Sequence, residues 1–258
     1  MLVSLTTDFG PGAYAGAMRG AILDVSTDVR VVDITHTVPA HDVVQGALAL
    51  LAAAPHFPRG TVHVCVVDPG VGTARRPIVV ESDRALFVGP DNGVLMPAAE
   101  RLGFKRALLL DKPDYWRTRV SPVFHGRDLF GPVAAHLARG VDPAKMGTRI
   151  DDPVRLDFGH PKRAADGSVD AKVLSVDSFG NLTTNVPEPQ GPALGTRVEV
   201  RVGGRAGQVE MRRTYGEAAS GEDLLLIGSN GFVELAVSRG RADTRWGAQA
   251  GQPLRLRW

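Results

Sequence analysis

Apolar and polar positions follow two alternating rhythms over residues 1–150. Short, nearly continuous apolar runs at 2–6, 29–34 and 61–67 have the length of buried strands. Two more short strands are expected at 77–81 and 85–88, split by a polar turn at Ser82, Asp83 and Arg84. Between these runs, residues 14–25 place Tyr14, Ala17, Met18, Ala21, Ile22 and Val25 near helical spacing. Residues 42–54 read as a strongly apolar helix that Pro55 stops, and a further helix is expected over 127–138, closed by Gly140. Strands alternating with helices predict a mostly parallel sheet with helices on its faces.

The rhythm changes near residue 151. Residues 151–170 are polar and contain Pro153, Pro161 and Gly167, as a linker would. Beyond them helical periodicity gives way to short β-type runs at 171–176, 197–202, 208–211, 224–227, 232–237 and 254–256, most of them separated by turns with glycine. The expected architecture is therefore an α/β N-terminal domain over 1–155 with a mostly parallel central sheet, plus a smaller C-terminal all-β barrel domain over 168–258.

Composition narrows the function. Charged residues make up 22% of the chain, with the acidic ones interleaved among the arginines for a net charge of +2, so there is little electrostatic support for a nucleic-acid partner. No apolar run approaches the roughly 20 residues needed to span a bilayer, and Asp8 interrupts what would be a signal segment. Cys65 is the lone cysteine and sits in an apolar run, which fits a buried hydrophobe in a reducing compartment. A cytoplasmic protein with no membrane partner is expected.

Four segments gather reactive side chains at strand ends and turns. TTDFG (6–10) follows the first strand, and in an open parallel sheet ligands bind at the C-terminal strand ends, so Asp8 is placed to accept both hydroxyls of a ribose; it suits a helix N-cap nearly as well. The nearby Gly10, Gly12 and Gly16 are spaced one residue too wide for a dinucleotide fingerprint, and Pro11 removes an amide. HVCVVDPGVGTARR (63–76) delivers Asp68 to a strand tip, with Arg75 seven residues on and able to fold back; Asp68 before Pro69 also fits a plain turn initiator. FHGRDLF (124–130) sets His125 just before a helix. DSFGNLTTN (177–185) offers a carboxylate, an amide and a flat ring, or a tight hairpin.

Taken in order, TDFG (7–10), VDITH (32–36), VDPGVG (67–72), GPDNGVL (89–95), FHGRD (124–128), DSFGNLTTN (177–185) and GSNG (228–231) resemble the S-adenosylmethionine (SAM) hydroxide adenosyltransferase family, the SAM hydrolases related to fluorinase and chlorinase. The resemblance implies hydrolysis of SAM to adenosine and L-methionine by water attacking the ribose 5′ carbon, with no cofactor and no metal. It implies a homotrimer whose site lies between subunits. Asp68, Arg75 and His125 match the hydrolases' catalytic set, which the halogenases lack. Asp8 matches the ribose-diol carboxylate, Asp177 and Ser229 the methionine end, Asn181 an adenine contact, and Phe179 and Tyr215 aromatic walls. His41 stands where the fluorinase has a tryptophan.

The chemistry follows from charge. Displacement turns a sulfonium cation into a neutral thioether, so a dry pocket favours attack by an anion. Water, with a pKa near 15.7, must be activated, and either Asp68 or His125 is able to take its proton whereas Arg75 stays charged. Two rivals remain at this level. One is a metal-dependent hydrolase using Asp8, Asp68, His125 and Asp128; the other is a SAM or adenosine sensor without turnover.

Overall fold

A computed structural model describes residues 1–258, which divide into two units, Met1–Leu156 and Asp157–Trp258. In the first, the order is β1 (Leu2–Thr7), α1 (Ala13–Val25), β2 (Arg30–Thr35), α2 (Val43–Ala53), β3 (Thr61–Val66), β4 (Pro77–Ser82), β5 (Ala85–Pro90), α3 (Met96–Arg101), β6 (Phe104–Leu110), α4 (Gly131–Ala138) and β7 (Gly147–Ile150). These strands form one sheet in the order β2-β1-β3-β5-β4-β6-β7. The β2, β1, β3 and β5 neighbours run parallel, and β4, β6 and β7 complete the sheet antiparallel.

Alternation along β1 explains the layering. Val3 and Leu5 pack with Met18 and Ile22 of α1 and Val133 and Leu137 of α4, all buried, while α2 and α3 pack against each other and the sheet. Asp42 starts α2 by accepting the Gln45 amide at 3.0 Å. Because β1 and β3 are parallel neighbours with Thr7 opposite Val66, Asp8 and Asp68 emerge from the same end of the sheet.

The helix expected over 127–138 is split. A π-helical turn at Gly126–Phe130 precedes α4. Pro132 has no N–H to donate to the Asp128 carbonyl, which accepts the Arg117 amide instead at 2.9 Å, and the Gly131 amide bonds back to Gly126. The helix α3 and the strands β6 and β7 were not legible from periodicity.

The second unit contains β8 (Lys162–Arg163), β9 (Ser168–Val176), β10 (Leu182–Pro187), β11 (Arg197–Val202), β12 (Arg205–Met211), β13 (Asp223–Ile227), β14 (Phe232–Val237), α5 (Ala242–Trp246) and β15 (Pro253–Arg257). Seven strands pair in the order β10-β14-β13-β12-β11-β15-β9, and β9 pairs back to β10, so the barrel closes and leaves β8 as an appendage. Its core takes alternate residues such as Val198, Val200 and Val202 of β11, with Glu199 and Arg201 facing outward. The strand β10 was read from sequence as part of a polar loop. Its polar side chains are buried because they find partners: Thr184 Oγ1 donates to the Val233 carbonyl at 2.8 Å, and Asn185 Oδ1 accepts the Lys172 amide at 2.9 Å.

Candidate functional site

In the N-terminal unit a cavity of about 170 Å³ opens among Asp8, Phe9, His41, Asp68, Val71, Phe124 and His125. Asp68 and His125 line it, and Arg75, which does not, bonds to both. Arg75 Nε donates to Asp68 Oδ1 at 3.0 Å, and Arg75 Nη2 donates to Asp68 Oδ2 and, at 2.9 Å, to His125 Nδ1. Asp68 and Arg75 are only 5% and 7% exposed, so this is a desolvated ion pair. Arg76 is elsewhere, paired with Asp91 and Asp152. The Arg75 ring partner is Phe130, 5.3 Å below the guanidinium, and its Nη1 is buried with no hydrogen-bond partner.

Burial lifts the Asp68 carboxyl above the usual range, with Arg75 and His125 pulling it back only in part. Burial, then the Arg75 charge, lowers the His125 imidazole. Since a guanidinium only donates, Nδ1 must be the accepting nitrogen, so the neutral ring carries its proton on Nε2.

Local turns aim these groups. Asn92 of the GPDNG segment donates to the Val67 carbonyl at 2.9 Å, holding the strand end just before Asp68. Gly72 has φ +76°, and a Cβ there would fall on the Pro122 carbonyl, so the Asp68–Arg75 loop lies directly against the loop that carries His125. That second loop is gathered by Asp128, 1% exposed, which accepts the Ser121 amide at 2.9 Å and pairs with Arg127. Arg127 in turn covers the Phe124 ring.

Asp8 is held by the His41 amide, which donates to Oδ2 at 2.9 Å, and His41 itself adopts φ 65°, an uncommon left-handed backbone for a non-glycine residue. Beneath it runs a chain that sequence reading did not single out. Arg19 donates to Asp33, His36 Nε2 lies 3.0 Å from Asp33 Oδ1, His36 Nδ1 is 2.8 Å from Thr7 Oγ1, and Thr7 Oγ1 accepts the Phe9 amide at 3.2 Å. Asp33 and His36 fall in VDITH and Thr7 and Phe9 in TDFG, with no role attached to this chain, and Arg19 falls in neither.

In the barrel unit, Asp177, Phe179, Asn181 and Tyr215 line a cavity of about 510 Å³ together with Val237, Arg239, Gly240 and Arg241. Asp177 closes its own turn: Oδ1 accepts the Phe179 and Asn181 amides at 2.9 and 2.8 Å, and Oδ2 accepts from Asn181 Nδ2 at 2.9 Å. Phe179 is 73% exposed and Tyr215 45%. Ser229 lies in the turn between β13 and β14, outside the cavity lining. Another cavity, of about 530 Å³ at the β11–β12 hairpin, contains none of the expected residues.

The four-residue metal set does not assemble. No group of three or more His, Cys, Asp or Glu is arranged around a common point. Asp128 directs one oxygen to Ser121 and both to Arg127, and the Asp68 oxygens face Arg75.

An open sheet carrying a carboxylate–arginine–histidine set at its strand ends, joined in one chain to a closed barrel with an aromatic-lined cavity, defines a two-domain small-molecule enzyme class. The family is shown by comparison: residues 3–147 match the SAM hydroxide adenosyltransferase N-terminal domain and residues 171–255 its C-terminal domain, and the chain belongs to this family. It is similar to the (R)-S-adenosyl-L-methionine hydrolase of Salinispora tropica, 41% identical over 98% of this chain and 97% of that one. The fluorinase of Nocardia brasiliensis is more distant, 26% identical over 93% and 90%. The crystal structure of an uncharacterized conserved protein from Thermotoga maritima superposes with a TM-score of 0.92 and 33% identity, covering 100% of both chains.

Proposed function

We propose that this chain is a SAM hydrolase that converts SAM and water to adenosine and L-methionine. The carrying observation is that Asp68 and His125, both bonded to Arg75, line one cavity with Asp8. A water oxygen attacks the ribose 5′ carbon; the carbon–sulfur bond breaks and its electron pair stays on sulfur, giving neutral methionine thioether. Asp68 takes the water proton. Arg75 cannot, and His125 already carries its proton on Nε2 while Nδ1 faces the guanidinium, so the ring orients the water by donating. The unpartnered Arg75 Nη1 supplies a further donor for developing hydroxide. Asp8 holds the ribose diol, Asn181 the adenine, Phe179 and Tyr215 the flat walls, and Asp177 with Ser229 the methionine end. His41 borders the same cavity as Asp8.

No metal and no cofactor take part; SAM is the substrate and adenosine the released product. The working form is a homotrimer in which the pocket of one subunit faces the barrel of the next. The exposed Tyr14 and Val123 on the first unit and Phe179 and Tyr215 on the second support this, because each half-pocket carries apolar surface that a monomer leaves in water. The chain works in the cytoplasm with neither nucleic acid nor membrane as partner; buried, unpaired Cys65 fits a reducing compartment, and no helix is long and apolar enough to cross a membrane.

Incubation with SAM in ¹⁸O-water, followed by chromatography and mass spectrometry, tests this. Equal amounts of methionine and of adenosine labelled at its 5′ oxygen are expected, with no halogenated nucleoside when chloride or fluoride is added and no loss of rate with EDTA. SAM binding without adenosine release would make the protein a sensor. Loss of turnover with EDTA, restored by a divalent ion, would make it a metal hydrolase.

A further inference from the structure

Asp8 is gripped on both sides of its own backbone. Thr7 before it is fully buried, and its Oγ1 accepts the Phe9 amide at 3.2 Å, so one hydroxyl spans the aspartate as a tight turn. The same oxygen meets His36 Nδ1 at 2.8 Å. His36 Nε2 lies 3.0 Å from Asp33 Oδ1 and 3.4 Å from Arg19 Nη2, and Arg19 and Asp33 are themselves paired. Whichever ring nitrogen carries the proton, the imidazole ties Thr7 to that ion pair. A proton on Nε2 goes to Asp33 while Nδ1 accepts from the hydroxyl; a proton on Nδ1 goes to the hydroxyl while Nε2 accepts from Arg19. Two backbone hydrogen bonds close the clasp: the Gly10 amide donates to the His36 carbonyl at 2.7 Å, and the Val38 amide to the Thr7 carbonyl at 3.3 Å. The turn that carries Asp8 is thereby fastened to β2, the edge strand of the sheet. Neither Thr7 nor His36 lines the cavity that Asp8 faces.

We propose that Thr7 and His36 are positioning residues that set the Asp8 carboxylate for the ribose diol. This rests on the reading of Asp8 given above. Asp8 and Asp68 leave the same end of the sheet, so the grip on the diol fixes where the 5′ carbon stands relative to Asp68. A carboxylate on an untethered turn samples several backbone and side-chain states, and binding must then order them. The Thr7–His36 clasp orders the turn before substrate arrives, and the His41 amide on Asp8 Oδ2 at 2.9 Å holds the side chain from the cavity side.

The probe is adenosine, which carries the diol and does not react. Calorimetry on the full-length chain supplies its Kd for the parent, Thr7→Val, Asp8→Ala and the double variant. Valine keeps the shape of threonine and removes the oxygen. Thr7→Val is expected to weaken adenosine about fivefold or more and Asp8→Ala about tenfold or more. The double variant is expected within about twofold of Asp8→Ala alone, because nothing is left to position. Thr7→Ser and His36→Asn keep a polar partner at the junction and restore Kd to within about threefold of the parent, whereas His36→Phe matches Thr7→Val. Losses that multiply in the double variant overturn the proposal, being the signature of a general structural role. A parent-like Kd for Thr7→Val overturns it as well. If Thr7→Val does not fold, His36→Phe takes its place in the same cycle with Asp8→Ala. Asp8→Ala binding as tightly as the parent defeats the diol reading and the clasp's role together, and a parent that binds no adenosine defeats the SAM reading and the clasp's role with it. A parent that binds through Asp8 while Thr7→Val and His36→Phe bind equally well defeats the clasp's role alone.

Discussion

Arg75 donates to His125 Nδ1 at 2.9 Å, and this single contact decides which protonation state the imidazole holds. A guanidinium offers donors only, so the ring is neutral with its proton on Nε2, and Asp68 is left as the group able to accept a proton. Asp68→Asn keeps the shape and removes the base. Its kcat is expected to fall by about 10²–10⁴ with SAM affinity largely kept, and His125→Ala to lose about 10² through poorer orientation of water. Steady-state kinetics with calorimetric SAM binding separate the two effects. A matching loss of binding would make both residues ligand contacts.

Acid should silence the reaction for two reasons at once. Burial raises the Asp68 carboxyl above its usual value, so it protonates earlier than an ordinary aspartate as pH falls. Burial and Arg75 lower the His125 imidazole, so the neutral ring persists until below 6.5. Activity needs the ionised carboxylate and the neutral ring, and acidification removes both. A kcat profile from pH 4 to 8 is expected to rise from the acid side to a plateau. A rate that climbs on acidification contradicts Asp68 as base.

The two loops that meet in the site are locked by one glycine. Gly72 combines φ +76° with contact against the Pro122 carbonyl. Gly72→Ala therefore pushes the Asp68–Arg75 loop away from the His125 loop, in addition to about 1–2 kcal/mol for the left-handed backbone. A lower Tm and a kcat reduced at least tenfold are expected, with the Asp8 side of the pocket unaffected. A variant that keeps full kcat would mean the loops tolerate separation.

Much of this was legible from sequence where local pattern and chemistry agree. The buried strands β1 and β3 announce themselves as apolar runs, and each is followed within two residues by an aspartate at the edge where parallel sheets bind ligands. The family resemblance carried by the seven motifs then implied that Asp8, Asp68, Arg75 and His125 belong to one site. What stayed hidden depends on partners far along the chain. β10 is a polar-looking strand because Thr184 and Asn185 are satisfied by β14 and β9, and no local rule foretells that. The Thr7–His36 and Tyr215–Glu234 contacts are likewise pairings across 29 and 19 residues. The π-helical turn at Gly126–Phe130 arises from Pro132 and Arg117 together, so helical periodicity alone ran straight through it.

A buried histidine outside the site makes a prediction about stability that is independent of catalysis. His63 of β3 is fully buried, stacked on Phe87, edge-on to Phe57, and bonded through Nδ1 to Ser4 Oγ at 2.6 Å, while Nε2 has no partner. Desolvation lowers its pKa from 6.5 to about 4. The unfolded chain therefore binds a proton that the folded chain refuses between these two values. The neutral ring's contribution is complete above pH 6.5 and is lost as pH falls toward 4, by about 3 kcal/mol at 1.4 kcal/mol per unit. His63→Gln removes this titration. It costs stability at pH 7 through poorer ring packing, but urea unfolding should show the gap to the parent closing by about 2–3 kcal/mol between pH 7 and 4. His125 and His136, whose imidazoles are also lowered, titrate in both proteins and cancel in the difference. Parallel stability curves for the two proteins would show that the buried ring takes up its proton without loss of the fold.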